Sequence, residues 1–361
     1  METVLNGLSA SQQRFEVGDP SQVSYARRGI GELAHSIGCG ETVIGKLAII
    51  VTECATNQLK HAQRGELLAR PISEVALPGR ALPSRYGIEL LAIDSGPGIR
   101  DLHACFVDGY TTAGSPGNGM GAIQRLADDL DIWSAAGLGT VLRIVVWADP
   151  GGAAAQYRGP VEYGAINLPL QGETLCGDAW TCGYAEDEFT VMVADGLGHG
   201  ALANSAAIAA TDTFGRLGPS SVEQIVEASH EALRPTRGAA LGVARIPTRA
   251  AAGTSSVARF CGVGNIAASV WTPQGHRHLV SHAGIVGHQL RKAQEFQVDW
   301  PQDGLLILHS DGLATRWDLS RYPGLTLRHP TLVAATLYRD FTRGRDDVTV
   351  FVARACGGEP L

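Results

Sequence analysis

The chain has 361 residues, 45% of them hydrophobic and only 18% charged, with a formal net charge of −7. That composition suits a globular protein long enough for two domains with proper cores. The acidic balance, without any Lys/Arg block, excludes a general nucleic-acid or anionic-membrane surface.

No apolar run approaches the ~20 residues of a membrane helix. Met1 to Asn6 carries no basic or signal-like segment. Seven cysteines lack any CxxC spacing, which predicts free thiols and a reducing, cytoplasmic setting.

In chain order, Gln13 to Val17 reads as a strand. Asp19-Pro20 starts a helix, with Asp19 as N-cap and Pro20 at the first position, and Gly38 ends it. A second helix is expected over 41–61, with Ile44, Leu47, Ala48, Val51, Ala55 and Leu59 at helical spacing. Glu53 and Asn57 lie four apart and share the opposite face. Alone, this is an ordinary amphipathic helix.

Strands are expected near 65–70 and 86–93, the second ending in Asp94-Ser-Gly96-Pro-Gly98. Gly117-Asn-Gly119-Met-Gly121 opens another helix, and Gly139-Thr140 leads into a strand reaching Trp147. A glycine-rich loop before a helix offers backbone N–H groups and a positive dipole end to phosphate. An acid at a strand end can accept a hydrogen bond from an exocyclic amine.

This ordered set resembles the Bergerat (GHKL) ATP-binding fold, and within it the anti-sigma-factor and stressosome switch serine kinases. The resemblance covers about residues 13–148. It implies ATP with Mg²⁺ held by Asn57, Glu53 as base, Asp94 on adenine with Gly96 and Gly98 shaping the pocket, Gly117, Gly119 and Gly121 as the phosphate loop, and Thr140 in the closing hairpin. His61 reads as packing or as a support behind the site residues, since no phospho-accepting histidine helix is seen.

Residues 150–160, bounded by Pro150 and Pro160, read as a linker rich in small residues. The expected division is 1–149, linker 150–160 and 161–361, and the linker predicts halves that fold separately.

Beyond the linker, a strand over 189–194 ends at Asp195-Gly196, and three glycines within five residues follow before a helix from Ala201. A second helix is expected over 220–233. Strands are expected near 239–245, 257–263, 267–272 and 305–308. Asp178, Asp195, Asp311 and Asp346 all fall at strand ends. Carboxylates there, together with the Gly196 carbonyl, suit a pair of hard cations such as Mg²⁺ or Mn²⁺. A metal pair can activate a bridging water and stabilise in-line displacement at phosphorus. A single Asp-Gly is an ordinary turn; four acids in this order are not. His276, His278 and His282 read as a solvated strand and turn.

From Tyr163 to Arg354 these motifs resemble the metal-dependent PPM serine/threonine phosphatases, in their SpoIIE-like branch. Arg237 to Arg245 and Gly262 to Ile266 also carry the likeness. The resemblance implies metal ligands at Asp178, Asp195, the Gly196 carbonyl, Asp311 and Asp346, with Asp178 and Asp195 at the catalytic centre. His199 stands farther from the Asp-Gly turn than the histidine of the larger relatives, and its role is open.

The expected fold class is therefore α/β (α+β): an N-terminal Bergerat α/β sandwich and a C-terminal PPM-type α/β/β/α sandwich. The resemblances imply a bifunctional kinase and phosphatase acting on a STAS-domain phosphoprotein upstream of a sigma factor. The alternative is a phosphatase whose N-terminal half is an ATP-dependent docking or gating module.

Overall fold

The computed structural model describes residues 4–5, 11–62, 65–74, 85–102, 104–106, 119–148, 159–217, 220–248, 256–301 and 303–356. Gly117 and most of the expected linker lie outside the described residues.

The first part runs β1 (Val4–Leu5), β2 (Gln13–Val17), α1 (Pro20–Ser36), α2 (Glu41–His61), β3 (Gly65–Glu74), β4 (Arg85–Asp94), α3 (Gly119–Leu126), β5 (Asp129–Ser134) and β6 (Thr140–Trp147). The Asp19 side chain accepts the Ser21 and Gln22 amides in a capping box that starts α1. Strands β2 to β6 form one antiparallel sheet in the order β2-β3-β4-β6-β5. One face of it, including Leu67, Ile88, Leu90 and Ile144, packs on Ile30, Leu47 and Ile50 of the two helices.

The second part runs β7 (Val161–Leu168), β8 (Asp178–Ala185), β9 (Glu188–Gly196), α4 (Ala201–Arg216), α5 (Val222–Leu233), β10 (Ala239–Pro247), β11 (Val257–Val263), β12 (Ala267–Thr272), β13 (Gly275–Leu279), β14 (Ser281–His282), β15 (Phe296–Asp299), β16 (Leu305–His309), α6 (Pro330–Phe341) and β17 (Val348–Ala355). Two sheets result, β1-β8-β9-β10-β11-β14 with β15 beside β11, and β13-β12-β16-β17-β7. Phe189, Phe260, Leu306 and Phe351 lie in the core between them. Helices α4 and α5 cover the first sheet through Ala207, Phe214 and Ile225. Helix α6 covers the second through Leu332, Val333 and Leu337, against Ile166 and Val350. The order is the expected α/β/β/α.

Helix α6 has no counterpart in the sequence reading, and it changes the domain picture. Every residue from Pro330 to Tyr338 is buried. A helix without a polar side must be covered all round. Its second cover is the far face of the N-terminal sheet, where Leu68, Leu91, Ile93, Trp133 and Val141 join the same core. Polar ties accompany this packing. Trp133 Nε1 donates to the Pro323 carbonyl at 3.0 Å, and the His329 amide donates to Asp131 at 2.8 Å. Gln12 bonds Ala165 and Asn167 of β7. The halves share a hydrophobic core, contrary to the expectation that each folds alone.

Candidate functional site

The sequence-predicted site residues gather at two places. In the first, β8 and β9 pair so that Asp178 lies directly opposite Asp195. Like charges facing each other across a ladder repel. Strand β16 leads through Ser310 to Asp311, and its partner β17 is preceded by Asp346 and Asp347. The Ser310 amide donates to the Thr349 carbonyl, and the Thr349 amide to Ser310 Oγ, which locks the two strand ends together. Asn265 Nδ2 donates to Asp311 Oδ2 at 2.6 Å. A Cβ on Gly196 would lie 2.1 Å from the Ala203 carbonyl oxygen, so only glycine lets α4 approach the Asp195 turn.

Burial first, then repulsion from Asp178, Asp311, Asp346 and Asp347, pushes the Asp195 carboxyl well up. Asp178 is also raised by burial, with Asp347 and Asp346 adding to the rise and the Ser310 and Thr349 hydroxyls opposing it. Asp346 and Asp347 are raised chiefly by burial. Asp178 Oδ2 and Asp347 Oδ2 are buried and have no hydrogen-bond partner among the described residues.

A bare buried oxygen among repelling carboxylates is what a hard cation would satisfy, so the donor set fits Mg²⁺ or Mn²⁺. Among the described residues no group of three or more His, Cys, Asp or Glu side chains is placed to hold a metal ion.

Some site residues escaped the sequence reading. Asp347 accepts the Leu170 amide at 2.8 Å and pins the loop before β8; its signal was the doubled acid Asp346-Asp347. Glu173 Oε1 lies 2.7 Å from His199 Nδ1, at the exposed rim. Arg237 Nη1 comes within 3.3 Å of where a Cβ on Gly198 would stand, beside the same turn. No motif marks Glu173.

The second pocket lies at the end of α2. Glu53 and Asn57 both face Gly119, whose Cβ would stand 2.6 Å from Glu53 Oε2 and 3.9 Å from Asn57 Nδ2. Gly121 is buried in the first turn of α3. Asp94 closes β4 opposite Thr140, and its Oδ1 accepts the Gly96 amide at 2.8 Å. Burial raises the Asp94 carboxyl, with the Gly96 and Thr140 backbone opposing.

A Cβ on Gly96 would lie 2.9 Å from the His61 carbonyl oxygen, so the turn packs on the C-terminal end of α2. Gly98 instead abuts Ala135 with positive φ. Thr140 Oγ1 lies 2.9 Å from Ser134 Oγ, which also accepts the Ile99 amide. Gln58, absent from the sequence reading, donates from α2 to the Glu66 and Ile93 carbonyls at 3.0 and 3.1 Å and so fixes Asn57 relative to Asp94.

The three histidines form no site. His276 is half-buried rather than solvated, its ring 4.4 Å from Trp317 and 4.3 Å from His278. Burial lowers it to about 4. All seven cysteines are free, and no described helix is long and apolar enough to cross a membrane.

The sequence model of the family described as histidine kinase-like ATPase domain matches residues 17–146. The chain is 31% identical over 123 residues to serine/threonine-protein kinase RsbT of Bacillus subtilis strain 168, covering 34% of this chain and 86% of that protein. It is 28% identical over 147 residues to phosphoserine phosphatase RsbX of the same strain, covering 40% of this chain and 71% of that protein. A crystal structure of RsbX in complex with magnesium aligns with a TM-score of 0.49 at 23% identity, over 56% of this chain and 98% of that one. The chain thus belongs to the RsbT family, with a histidine kinase-like ATPase domain over residues 17–146, and it carries in addition a region homologous to RsbX.

Proposed function

We propose that the chain is a bifunctional regulator of a partner-switching system. Its C-terminal half is a metal-dependent phosphoserine/phosphothreonine protein phosphatase and its N-terminal half an ATP-dependent serine/threonine kinase, both acting on a STAS-domain phosphoprotein that controls a sigma factor in the cytoplasm. The observation that carries the phosphatase reading is the bare Asp178 Oδ2, buried opposite Asp195 at converging strand ends. Similarity to RsbX supports the substrate class, and similarity to RsbT supports the kinase.

Asp178, Asp195, the Gly196 carbonyl, Asp311 and Asp346 would hold two Mg²⁺ or Mn²⁺ ions, which when bound supply an activated water and neutralise phosphoryl charge. Asn265 orients Asp311, and Asp347 anchors the loop that carries Asp178. His199, held at Nδ1 by Glu173, keeps Nε2 for a proton at the leaving oxygen. In the other pocket Asn57 would hold the Mg²⁺ of ATP, Asp94 would accept from the adenine amine, and Gly119 and Gly121 would bring α3 amides to phosphate. Glu53, beside Asn57, would take the proton of a serine hydroxyl.

A second reading, in which the N-terminal half gates the phosphatase without transferring phosphate, is favoured by the core that α6 shares with the N-terminal sheet. The deciding test is transfer of labelled phosphate from ATP to a STAS-domain protein in an Asp195→Ala background. The kinase reading expects transfer there and its loss in Glu53→Ala at unchanged ATP affinity. Binding of both ligands without transfer gives the gating reading. Ordinary Mn²⁺-dependent phosphopeptide hydrolysis by Asp195→Ala would remove the phosphatase reading.

A further inference from the structure

Helix α6 touches both pockets, one at each side of its last turn. The side chain of Arg339 is only 6% exposed. Its Nη1 donates to the Asp94 carbonyl at 2.9 Å. Its Nε and Nη2 grip Asp340 as a fork at 2.7 and 2.8 Å, and Asp340 is itself held by Tyr322 Oη at 2.7 Å. A guanidinium fixed in this way has one orientation. It lies against Gly139, whose Cβ would stand 2.7 Å from Arg339 Nη1 and 2.2 Å from the Asp94 carbonyl oxygen. The turn that ends β4 is therefore clamped by a residue from the other half of the chain.

At the far side, α6 runs directly into the acid pocket. The Ala314 amide donates to the Phe341 carbonyl at 2.9 Å, and the Arg343 amide donates to the Gly312 carbonyl at 2.8 Å. Leu313 and Thr342 form an isolated bridge. The segment Gly312 to Ala314 begins next to Asp311, and Asp346 follows Arg343 by three residues. A Cβ on Gly312 would meet the Asp347 carbonyl oxygen at 2.0 Å, so this turn has no slack. Both contacts fall in the last turn of a helix whose earlier residues, Pro330 to Tyr338, are buried on every side, and close-packed elements move as units rather than deform.

We propose that α6 couples the two pockets, so that nucleotide bound at Asp94 sets the geometry of the Asp311–Ala314 turn, with Arg339 as the coupling residue. This rests on the nucleotide site of the proposed function. A ligand drawn to the Asp94 carboxylate bears on the same residue whose carbonyl holds Arg339. Movement of that carbonyl reaches Phe341 and Arg343 through one helical turn. The coupling is reciprocal: cation in the acid pocket changes nucleotide affinity by the same factor.

The test uses the full chain with Mg²⁺ and the non-hydrolysable analogue AMP-PNP. Calorimetry measures binding, and amide hydrogen exchange is followed in peptides spanning 311–316 and 341–345. The wild type is expected to slow exchange there about fivefold or more on nucleotide binding, within the usual range of such couplings. In Arg339→Ala that change is lost while calorimetry still records binding. Arg339→Lys, which keeps a cation but not the fork, serves where the alanine variant does not fold, and is expected to lose most of the change.

Nucleotide binding with exchange unmoved in both peptides overturns the coupling and leaves the nucleotide site standing. A change that persists in full in the Arg339 variants overturns the role of Arg339. Absence of nucleotide binding by the wild type overturns the site itself, and the coupling with it.

Discussion

The N-terminal sheet has two faces covered in different ways. The face under α1 and α2 is apolar throughout, with Leu67, Ala69, Ile88, Leu90 and Ile144 all at 0% exposure. The opposite face alternates apolar Leu68, Leu91, Ile93 and Val141 with Glu66, Arg70, Glu89 and Arg143. By local pattern that mixed face belongs in water. Instead it lies under the second half of the chain, where Glu89 receives Arg70 at 2.7 Å and Arg143 at 2.6 Å, and Arg143 also takes Asp129 at 2.6 Å. Arg70 stands 5.6 Å from the Trp180 ring of β8. The first face is held by area alone. The second is held by area at one end and by charges that satisfy each other at the other. A charged sheet face can thus be an interior surface when its charges pair within the sheet.

The largest expected effect follows from that pairing. Burial alone would raise the Glu89 carboxyl, but Arg70 and Arg143 outweigh it and hold it at about 2. Glu89→Ala takes the carboxylate from the buried Arg70 guanidinium and leaves Arg143 with Asp129 alone, and breaking a buried pair costs about 3–5 kcal/mol. Urea unfolding of the full chain measures it. A loss under about 1 kcal/mol, the value for surface pairs, would mean that this face is wet in solution and the comparison fails.

Neighbouring leucines sharpen the contrast. Leu90 points to the helices and Leu91 to α6, and each is at most 1% exposed. Both alanine substitutions are expected to cost about 2–5 kcal/mol, as buried leucines do. Equal losses establish docking as firm as a domain core. A near-neutral Leu91→Ala beside a costly Leu90→Ala would show halves that separate.

Much of this was legible in the sequence, and the failures have physical causes. Helix α2 occupies 41–61 as expected, because one face repeats at helical spacing and the other is polar. The second helix of the C-terminal half starts at its serine cap, Ser221, in a capping box with Gln224. Helix α6 escaped because Pro-Thr-Leu-Val-Ala-Ala-Thr-Leu-Tyr has no polar stripe to set a period; both its sides are covered. Strand β5 escaped although Asp129, Asp131 and Trp133 alternate with Leu130 and Ile132, since two residues of the face turned to the second half are acids. Asp131 bonds His329 across the halves, and local pattern cannot report a partner so far along the chain. In the acid pocket the glycine-flanked acids were readable one by one. Asn265, Glu173 and Gln58 gain their roles only when strands and helices meet.

A smaller effect isolates one tie across the shared core. Trp133→Phe keeps an aromatic ring but removes the hydrogen bond to the Pro323 carbonyl. The expected loss is about 0.5–1.5 kcal/mol, since the carbonyl oxygen remains near the surface of the cluster. Thermal unfolding of the full chain would read it, with Leu91→Ala as the larger reference.

The last effect is a slope rather than a loss, and it concerns the second glutamate of the mixed face. Glu66 faces Tyr338 of α6, whose Oη donates to Oε2 at 3.2 Å, with Arg14 nearby and Glu16 opposite it across the β2–β3 ladder. Burial raises its carboxyl from 4.5 to about 7, against the pull of Arg14 and Tyr338, and Glu16 adds to the rise. Glu89 on the same face shifts the other way because it has two guanidinium partners at contact distance. Below about 4.5 both folded and unfolded chains hold the Glu66 proton, and above about 7 both have lost it. Between these values the unfolded chain releases the proton while the folded chain keeps it, so stability falls as pH rises. Glu66→Gln carries no such proton. Its melting temperature is therefore expected to gain on the wild type from pH 4.5 to 7, with no further gain at pH 8 and a constant difference below 4.5. A gap that stays constant across the whole range would mean that Glu66 titrates as an exposed carboxylate, with α6 standing away from the sheet.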